Sequence, residues 1–389
     1  MGSAATGGAR VAQLREARGI SQAALGRRAG ISAGSLSKIE IGDRVLTPGV
    51  AAALAGALQM SLGALYGQAE ISADQDMLLE DLRTAARRYD IPDQAPVPEL
   101  TQLRAELDHV ITLRWQADLA GLLRTLPGLL PRVITYAHTS ASAQGWALLA
   151  EVYSAAYHLA ARHRWMDLIE TASAYQTLAA GRQPDPMVIA LAARDRAGTF
   201  LHDGDFAGGL TVVDRAIVAA QAALTGREQA FAIGTLHLRG ITLAGWLGDR
   251  AEAQRHIQGA WSAAEEFPTD RRIDGHLFGP HNTATHVLAT EADLDRPREV
   301  IRLAAELTSH DTDLPPTRLV DVHTSTARAH LDLGDRDGAQ AALAQAWHVA
   351  PQQANVDPMS REVLRVLISL HQRSNPQLST LAKLAGPTG

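Results

Sequence analysis

The sequence predicts an all-α protein, in which a small N-terminal bundle precedes a long array of helix pairs. Beyond Gly67, the alternation of apolar and polar residues that marks β-strands is missing, and alanine-rich segments with regularly spaced leucines dominate. Gly-Asp pairs or prolines separate these segments. A length of 389 residues allows two or three domains with a large core.

Residues 1–8 lack an apolar core and are predicted to be a flexible leader, not a signal peptide. No run approaches the ~18 apolar residues that a membrane span needs. The absence of cysteine excludes disulfides, thiolate zinc sites and cysteine nucleophiles. We therefore expect a cytoplasmic protein without a membrane partner. Its many alanines and arginines, with only two lysines, are typical of a GC-rich genome.

Residues 9–67 contain the most diagnostic segment. Ser21 and Ser32 occupy positions expected of helix N-caps, and Gly30 is placed to end the first of the two helices that they begin. The pattern predicts helices over 22–29 and 33–40, joined by a three-residue turn. This arrangement is a helix-turn-helix.

Apolar residues at three- and four-residue intervals predict one small core for this segment. They are Val11, Leu14, Ile20, Leu25, Ala29, Ile31, Leu36, Ile39, Leu54, Leu58, Leu62 and Leu65. The first 70 residues carry seven Lys and Arg side chains against four Asp and Glu, although the whole chain has a net charge of −6. A basic head on an acidic body suits DNA that contacts the head alone.

The segment over roughly residues 9–66 resembles the lambda Cro/repressor (XRE) family of helix-turn-helix domains. The matching positions are Ser21-Gln22, Leu25, Ala29-Gly30-Ile31-Ser32, Leu36-Ser37, Ile39-Glu40, Gly42, Pro48, Leu54, Leu58, Ser61-Leu62 and Leu65. The resemblance implies a five-helix, lambda-repressor-like domain whose second motif helix enters the major groove of double-stranded DNA.

The resemblance also implies roles for single residues. Side chains facing the bases would be Ser32, Ala33, Ser37 and Lys38, and those binding phosphates would be Gln22 and Arg44. Gly34, on the same helix, has no side chain, which places more weight on Lys38 and on DNA shape. Glu40 would repel phosphate, so we interpret it as a structural partner of Arg15 or Arg44.

Residues 68–98 are predicted to be a linker helix and a connector, with the helix over 76–89 and prolines at 92, 96 and 98. A longer helix is predicted over 98–126, at the start of a repeat domain that spans 99–389. Its apolar face carries Leu100, Leu103, Leu107 and Val110. This face either packs within the body or shares in a dimer interface.

Turns recur along the body in steps of 41, 44, 46 and 40 residues. They are His163-Arg164-Trp165, Gly204-Asp205-Phe206, Gly248-Asp249-Arg250, Leu294-Asp295-Arg296 and Gly334-Asp335-Arg336. The spacing indicates helix pairs and resembles tetratricopeptide repeats with lengthened loops. That resemblance implies a curved array whose first helices line a concave face.

Nine residues on those first helices are candidates for a ligand pocket, although each one could instead be an ordinary packing or surface residue. They are Tyr153, Tyr157, Arg194, His202, His237, Trp246, His281, Asn282 and Arg328. Arginines and amides suit carboxylates and peptide backbones, and aromatic rings supply apolar anchors.

Other patterns in the sequence do not indicate a metal-binding or catalytic site. His276, His281 and His286 recur every five residues, a spacing that on one helix would turn them away from each other. Asp311 and Asp313 precede two prolines in a predicted loop, where solvated charge is the ordinary interpretation. Phosphate loops, zinc-protease pairs and nucleophile elbows are missing, so no catalytic residue, metal or cofactor is predicted.

Together these features predict a transcription regulator that binds operator DNA as a homodimer. The combination resembles the peptide-responsive repeat regulators of Gram-positive bacteria, and actinobacterial proteins of this build. The resemblance implies a peptide or small-molecule effector on the concave face. The alternative is a docking scaffold for a protein partner, with no small effector.

Overall fold

The computed structural model describes residues 7–69, 71–94, 96, 99–309, 312–370 and 376–385. Over these ranges the chain forms 21 helices and one two-stranded hairpin, which confirms the all-α class. None of the helices within them has both the length and the apolarity to cross a bilayer. Residues 1–6 of the predicted leader, Pro98 and Asp311 lie outside the described residues.

The N-terminal bundle contains five helices, as predicted. They are α1 (Gly8–Ala17), α2 (Gln22–Ala29), α3 (Ala33–Ile41), α4 (Pro48–Ala57) and α5 (Leu62–Tyr66). Ser21 and Ser32 cap α2 and α3 by accepting hydrogen bonds from backbone N–H groups, and Gly30 ends α2 at φ 70°. The predicted core residues are buried or packed against the buried cluster. The local signals thus specify this bundle.

The two helices that follow differ from the prediction. Helix α6 (Ala73–Arg87) begins earlier than residue 76, because Ser72 and Gln75 form a capping box. The single helix predicted over 98–126 is wrong: the chain forms α7 (Leu100–Trp115) and α8 (Leu119–Ser140) instead. Ala117 turns the backbone at φ 58°, and Asp118 caps α8.

The apolar face of α7 packs within the body. Leu103, Leu107 and Val110 are fully buried against α8 and its neighbours, and Leu100 packs on the same cluster. The structure therefore supports the packing interpretation of this face, and these side chains are not free to form a dimer interface.

Helix pairs then follow in order. They are α9 (Ala143–His163) with α10 (Met166–Ala180), α11 (Pro186–Asp203) with α12 (Phe206–Ala223), α13 (Gly226–Leu247) with α14 (Arg250–Ala264), α15 (Pro280–Asp293) with α16 (Pro297–Ser309), and α17 (Pro316–Asp332) with α18 (Arg336–Val349). The described part of the chain ends with α19 (Pro351–Val356), α20 (Pro358–Leu370) and α21 (Pro376–Ala385).

Each of the five predicted turns joins the two helices of a pair. In three of them a glycine adopts the left-handed conformation and the next aspartate caps the second helix, as Gly204 and Asp205 do. In the other two turns the left-handed residue is Arg164 (φ 60°) or Asp295 (φ 61°). When the five turns are aligned, this residue stands one position after the glycine. The two repeats whose turns lack the glycine thus have a left-handed position that is shifted by one residue.

A hairpin interrupts the helical body between α14 and α15. Strand β1 (Arg271–Ile273) pairs antiparallel with β2 (His276–Phe278), with Arg272 opposite Leu277. Asp274 and Gly275 form its turn at positive φ, the Asp-Gly combination that two-residue hairpins favour. The prediction of an entirely helical body is wrong here, because three-residue strands are too short to show alternation.

The bundle and the helix pairs share one core. Buried side chains of α2 to α5 form a continuous cluster with those of α11 to α14. Two glycines permit the close approach: a Cβ at Gly63 would lie 2.6 Å from Met166 Sδ, and one at Gly49 would lie 2.9 Å from the Trp246 carbonyl oxygen. Helices α4 and α5 therefore sit directly on the repeat body.

Candidate DNA-binding surface and ligand cavity

The first turn of α3 presents small, exposed residues. Ser32, Ala33 and Gly34 are exposed, Ser37 is half-buried, and the Ser32 hydroxyl already accepts a hydrogen bond from the Ser35 N–H at 3.0 Å. Lys38 is exposed, and its ammonium contacts no partner in the described part of the chain. Among these predicted base-facing residues, Lys38 has the only long side chain that is free to reach a groove.

The predicted phosphate-binding residues have different surroundings. The Gln22 amide donates to Glu40 Oε2 at 2.7 Å, so in this structure it supports the bundle. Arg44 is exposed and donates to the Ser35 hydroxyl at 3.2 Å. Arg27 and Arg28, in the last turn of α2, are also exposed and were not singled out from the sequence. Their side chains add positive charge to this domain.

A buried ion pair joins α1 to the end of α3. Arg15 donates from Nε to Glu40 Oε1 at 2.7 Å and from a terminal nitrogen to Oε2 at 2.9 Å. Both residues are buried. The prediction that Glu40 is a structural partner of Arg15 is confirmed, and Arg44 does not contact it.

Helix α20 contacts the other side of α3. Glu362 accepts a hydrogen bond from the Leu46 N–H at 3.0 Å, and Arg365 donates to the Ile39 carbonyl at 3.2 Å. Glu362 and Arg365 also form an ion pair at 2.6 Å. The last part of the chain thus holds the C-terminal end of the predicted recognition helix.

A cavity of about 360 Å³ lies at the centre of the repeat body. Its walls come from the first helices of the pairs, α9, α11, α13, α15 and α17, together with α7 and α8. The helix-turn-helix domain closes one side with Pro48, Leu62, Gly63 and Tyr66. The prediction that first helices line the inner face is therefore correct, whereas the contribution of the DNA-binding domain was not predicted.

Five of the nine predicted pocket residues line this cavity. They are Tyr157, Arg194, His202, Trp246 and Arg328. The structure also adds lining residues that the sequence did not single out. The main ones are Arg114, Trp115, His158, Arg162, Arg164, Arg239, His286, Arg318, Asp321 and Asp357. Arginines on the first helices of the pairs were the signal that could have identified Arg162, Arg239 and Arg318.

The other four predicted pocket residues serve the packing. Tyr153 is fully buried and donates to the Ala86 carbonyl at 3.0 Å. His237 lies between α13 and α14, and His281 stands at the start of α15, where its N–H donates to Asp270. Asn282 accepts from Arg318 Nε at 2.8 Å, so it orients an arginine of the cavity without lining it.

Two clusters bring potential metal ligands within 4.8 Å of one another: His158, Asp195 and His276, and Asp214, Glu252 and His256. Arginines compete in both. Arg194 donates to Asp195 at 3.0 Å, and Arg255 donates to Asp214 at 2.7 Å. Because these guanidinium groups already neutralise the carboxylates, neither cluster favours a cation. His276 lies on β2, so the premise that it shares a helix with His281 and His286 is wrong.

Several buried histidines will make stability depend on pH. Burial, followed by repulsion from neighbouring charges, lowers the pKa of His202, His237 and His256 to about 4. In the unfolded chain each imidazole binds a proton near pH 6.5. In the folded chain it binds the proton only near pH 4. The contribution of these histidines to the free energy of unfolding should therefore be fully present above pH 6.5 and should decrease as the pH falls towards 4.

The expected slope is up to about 1.4 kcal/mol per pH unit for each such histidine. Urea titrations followed by circular dichroism at pH 7.5, 6 and 5 will measure it. The His202→Gln variant should show a smaller slope than the wild-type chain. Equal stability at pH 7.5 and 5 would contradict the assignment of neutral, buried imidazoles.

Comparisons with known proteins agree with the N-terminal architecture. Residues 8–65 match the family model described as a helix-turn-helix domain. A search of curated proteins gives no match. Among solved structures, the chain is similar to PlcR of Bacillus thuringiensis, crystallised in complex with the peptide PapR7 and DNA, at a TM-score of 0.35 and 13% identity. The alignment covers 86% of this chain and 98% of that chain.

The capped helices of the motif, the buried core of the bundle and the family match all concern the same residues. Such domains place their second motif helix in the major groove. Residues 8–65 of this chain therefore form an XRE-like helix-turn-helix domain.

Proposed function

We propose that this chain is a DNA-binding transcription regulator whose repeat body senses an effector in the central cavity, and that occupancy of the cavity controls how the helix-turn-helix domain contacts operator DNA. The observation that carries this proposal is the composition of the cavity wall. Leu62 and Tyr66 of the DNA-binding domain face the same space as Arg194 and Trp246 of the repeat helices. A molecule bound there touches both parts at once.

Such a ligand can act only if it binds one arrangement of the two parts more tightly than another. Contacts outside the cavity, such as those from Glu362 and Arg365 to the end of α3, hold the arrangement seen in the structure. An effector that displaces Leu62 or Tyr66 would compete with those contacts. The regulator would then have a bound and a released position of its helix-turn-helix domain.

The active species of this proposal is a homodimer. One small domain offers few cationic side chains for phosphates, so two copies on half-sites would supply the affinity. Their recognition helices must then lie about 34 Å apart, one turn of the duplex, or a multiple of that distance. Sedimentation of the full chain with and without operator DNA will measure the stoichiometry, and one protein chain per duplex would contradict this part.

Lys38 is expected to make base contacts. In the full chain, Lys38→Ala should weaken binding to a duplex selected from a random library by about 1 to 3 kcal/mol, and nonspecific binding less, because base contacts act only on the selected sequence. Fluorescence anisotropy at fixed salt will measure both affinities.

Lys383→Ala is the matched control, since it removes the other lysine of the chain, which is exposed on α21. Its affinity should equal that of the wild-type chain. Equal losses on selected and random duplexes after Lys38→Ala would assign Lys38 to a phosphate. Failure of the wild-type chain to enrich any duplex would contradict the regulator function itself.

The second candidate function, a scaffold for a protein partner, differs in what the purified protein retains. Native mass spectrometry of the chain purified from its own cells will distinguish the two. A retained molecule of low mass supports the sensor, whereas a retained protein with an empty cavity supports the scaffold. The volume of the cavity, about 360 Å³, favours the sensor, because it suits a small molecule and not a folded protein.

A further inference from the structure

We propose that the effector of this cavity is a small organic anion, whose carboxylate or phosphate group binds the guanidinium groups of Arg114, Arg194 and Arg239. This inference deepens the proposed function and rests on it for the consequence of binding. The binding itself is a separate claim, argued from the charges, contacts and shape of the cavity.

The cavity contains an excess of positive charge. Its lining has seven arginines and three aspartates. Arginines buried in protein interiors are ordinarily paired, because an isolated buried charge is costly. A space in which cations outnumber carboxylates in this way therefore requires a compensating anion or carries an unfavourable electrostatic energy.

Two of the arginines are held by at least two hydrogen bonds each to the protein. Arg164 donates to the carbonyls of Gly67 and Val356 at 2.6 and 2.7 Å. Arg328 pairs with Asp293 at 2.7 Å and also donates to the Ala292 carbonyl, so that both terminal nitrogens are used and only its Nε has no partner. These two residues hold neighbouring segments together and are not available to a ligand.

Three others are not satisfied. Arg194 donates to Asp195 through one terminal nitrogen, but its buried Nε has no partner. The buried Nε of Arg239 also has none, and among the described residues the Arg114 guanidinium makes no hydrogen bond. Arg114 instead stacks over the Trp115 ring at 5.4 Å. Guanidinium groups with unused hydrogen-bond donors, on three separate helices, thus belong to one cavity.

The nearest carboxylates cannot fill this role. Asp195 already accepts hydrogen bonds from Ser154 and Gln176 in addition to Arg194. Asp321 lies 3.7 Å from Arg162 and 4.0 Å from Arg318. These carboxylates are therefore saturated or serve other arginines, and the unused donors of the three guanidinium groups remain.

The arginines also repel one another. Burial lowers the pKa of Arg114 to about 9, despite the opposing effect of Asp195, and Arg194 and Arg318 lower it further. Burial and the charge of Arg239 lower the pKa of Arg194 to about 10. Both side chains keep their charge near neutral pH, so an anion between them would relieve this repulsion.

Part of the remaining wall is apolar, which indicates an organic anion and not an inorganic one. Leu119, Leu122, Leu201 and Met359 line the same space, with the ring of Trp115. Ligand sites of this size combine an apolar lining with a few polar groups that fix orientation. The cavity thus matches a molecule with an acidic group at one end and a hydrocarbon or aromatic part at the other.

The test uses 8-anilino-1-naphthalenesulfonate, an aromatic anion that becomes fluorescent in an apolar site, and the full chain. We expect one molecule to bind per chain. N-phenyl-1-naphthylamine, which lacks the sulfonate, should bind about tenfold or more weakly, because charge-assisted hydrogen bonds are lost. Equal affinity for the two dyes would overturn the proposal.

Arg239→Gln and Arg114→Gln should each weaken binding of the anionic dye about tenfold or more. Among the described residues neither arginine has a hydrogen-bond partner to lose, and Arg114 loses only its stacking on Trp115, so the melting temperature should stay close to that of the wild-type chain, which separates lost binding from unfolding. Arg215→Gln, an exposed site on α12, is the matched control. Unchanged dye affinity in both cavity variants would contradict the site.

Competition with the bound dye identifies the acidic group. Displacement by octanoate assigns a carboxylate, and displacement by octyl phosphate assigns a phosphate. Displacement by octanol at the same concentration, or by neither anion, would overturn the proposal. A chain that selects operator DNA but binds no anion contradicts only this inference, whereas a chain that selects no DNA contradicts the proposed function.

Discussion

Asp195→Asn will destabilise the repeat body by about 3 to 5 kcal/mol, the effect of removing one member of a buried ion pair. Asp195 is fully buried, and it accepts hydrogen bonds from Ser154 at 2.6 Å, Gln176 at 3.1 Å and Arg194 at 3.0 Å. An asparagine leaves Arg194 without its counter-charge and points an N–H group at some of these donors.

Two further side chains depend on the same carboxylate. His158 and His276 place their Nε2 atoms 3.2 and 3.3 Å from Asp195 Oδ1. Burial opposes the ionisation of Asp195, but these two histidines hold its pKa well below the ordinary value. The carboxylate therefore joins α9, α11 and the hairpin strand β2, and its loss should loosen all three.

Urea titration of the full chain will measure this change in the free energy of unfolding. Asp214→Asn is the matched control, because it makes the same substitution at a half-exposed carboxylate paired with Arg255. The control should lose no more than about 1 kcal/mol. Similar losses in the two variants would mean that the buried network around Asp195 does not stabilise the fold.

The second large effect is expected in the DNA-binding domain. Glu40→Ala should lower the free energy of unfolding by about 3 to 5 kcal/mol and weaken binding to a selected duplex. The substitution leaves the buried Arg15 guanidinium without its bidentate partner and removes the acceptor of the Gln22 amide. Because Glu40 lies in the last turn of α3, the recognition helix loses its attachment to α1 and α2.

Glu16→Ala offers a control on the same guanidinium. Glu16 lies 3.2 Å from Arg15, but its side chain is 68% exposed, so solvent screens the pair. We expect this variant to lose no more than about 1 kcal/mol and to bind DNA like the wild-type chain. If Glu40→Ala is as stable as Glu16→Ala, the pair between α1 and α3 is not what orders the recognition helix.

The N-terminal domain could be predicted almost residue by residue, because its signals act over short distances. A serine that caps a helix bonds to a backbone N–H three residues away, as Ser21 does with Ala24 at 3.2 Å. A glycine in the left-handed conformation ends a helix by its own freedom of φ. The turns of the repeats follow the same rule at Gly204, Gly248 and Gly334.

The prediction of helix bounds was wrong where two local signals favoured different structures. The apolar face that begins at Leu100 continues past Ala117, so periodicity alone favoured one helix through residue 126. The break at Ala117 requires positive φ, which alanine rarely adopts, and Asp118 then caps a new helix. Helix α8 also continues beyond residue 126, where the predicted helix ended, and it contains Pro127 and Pro131.

What the sequence alone determined was the class of each segment: a basic helix-turn-helix domain, then helix pairs whose first members line an inner face. Capping, periodicity and turn chemistry depend on neighbours within a few residues. The tertiary structure decided which inner residues meet and which of their charges find partners. Arg114 and Arg239 are 125 residues apart, and Leu62 reaches the same cavity from another domain, so their relation depends on long-range packing. The spacing of residues along the sequence does not predict such packing.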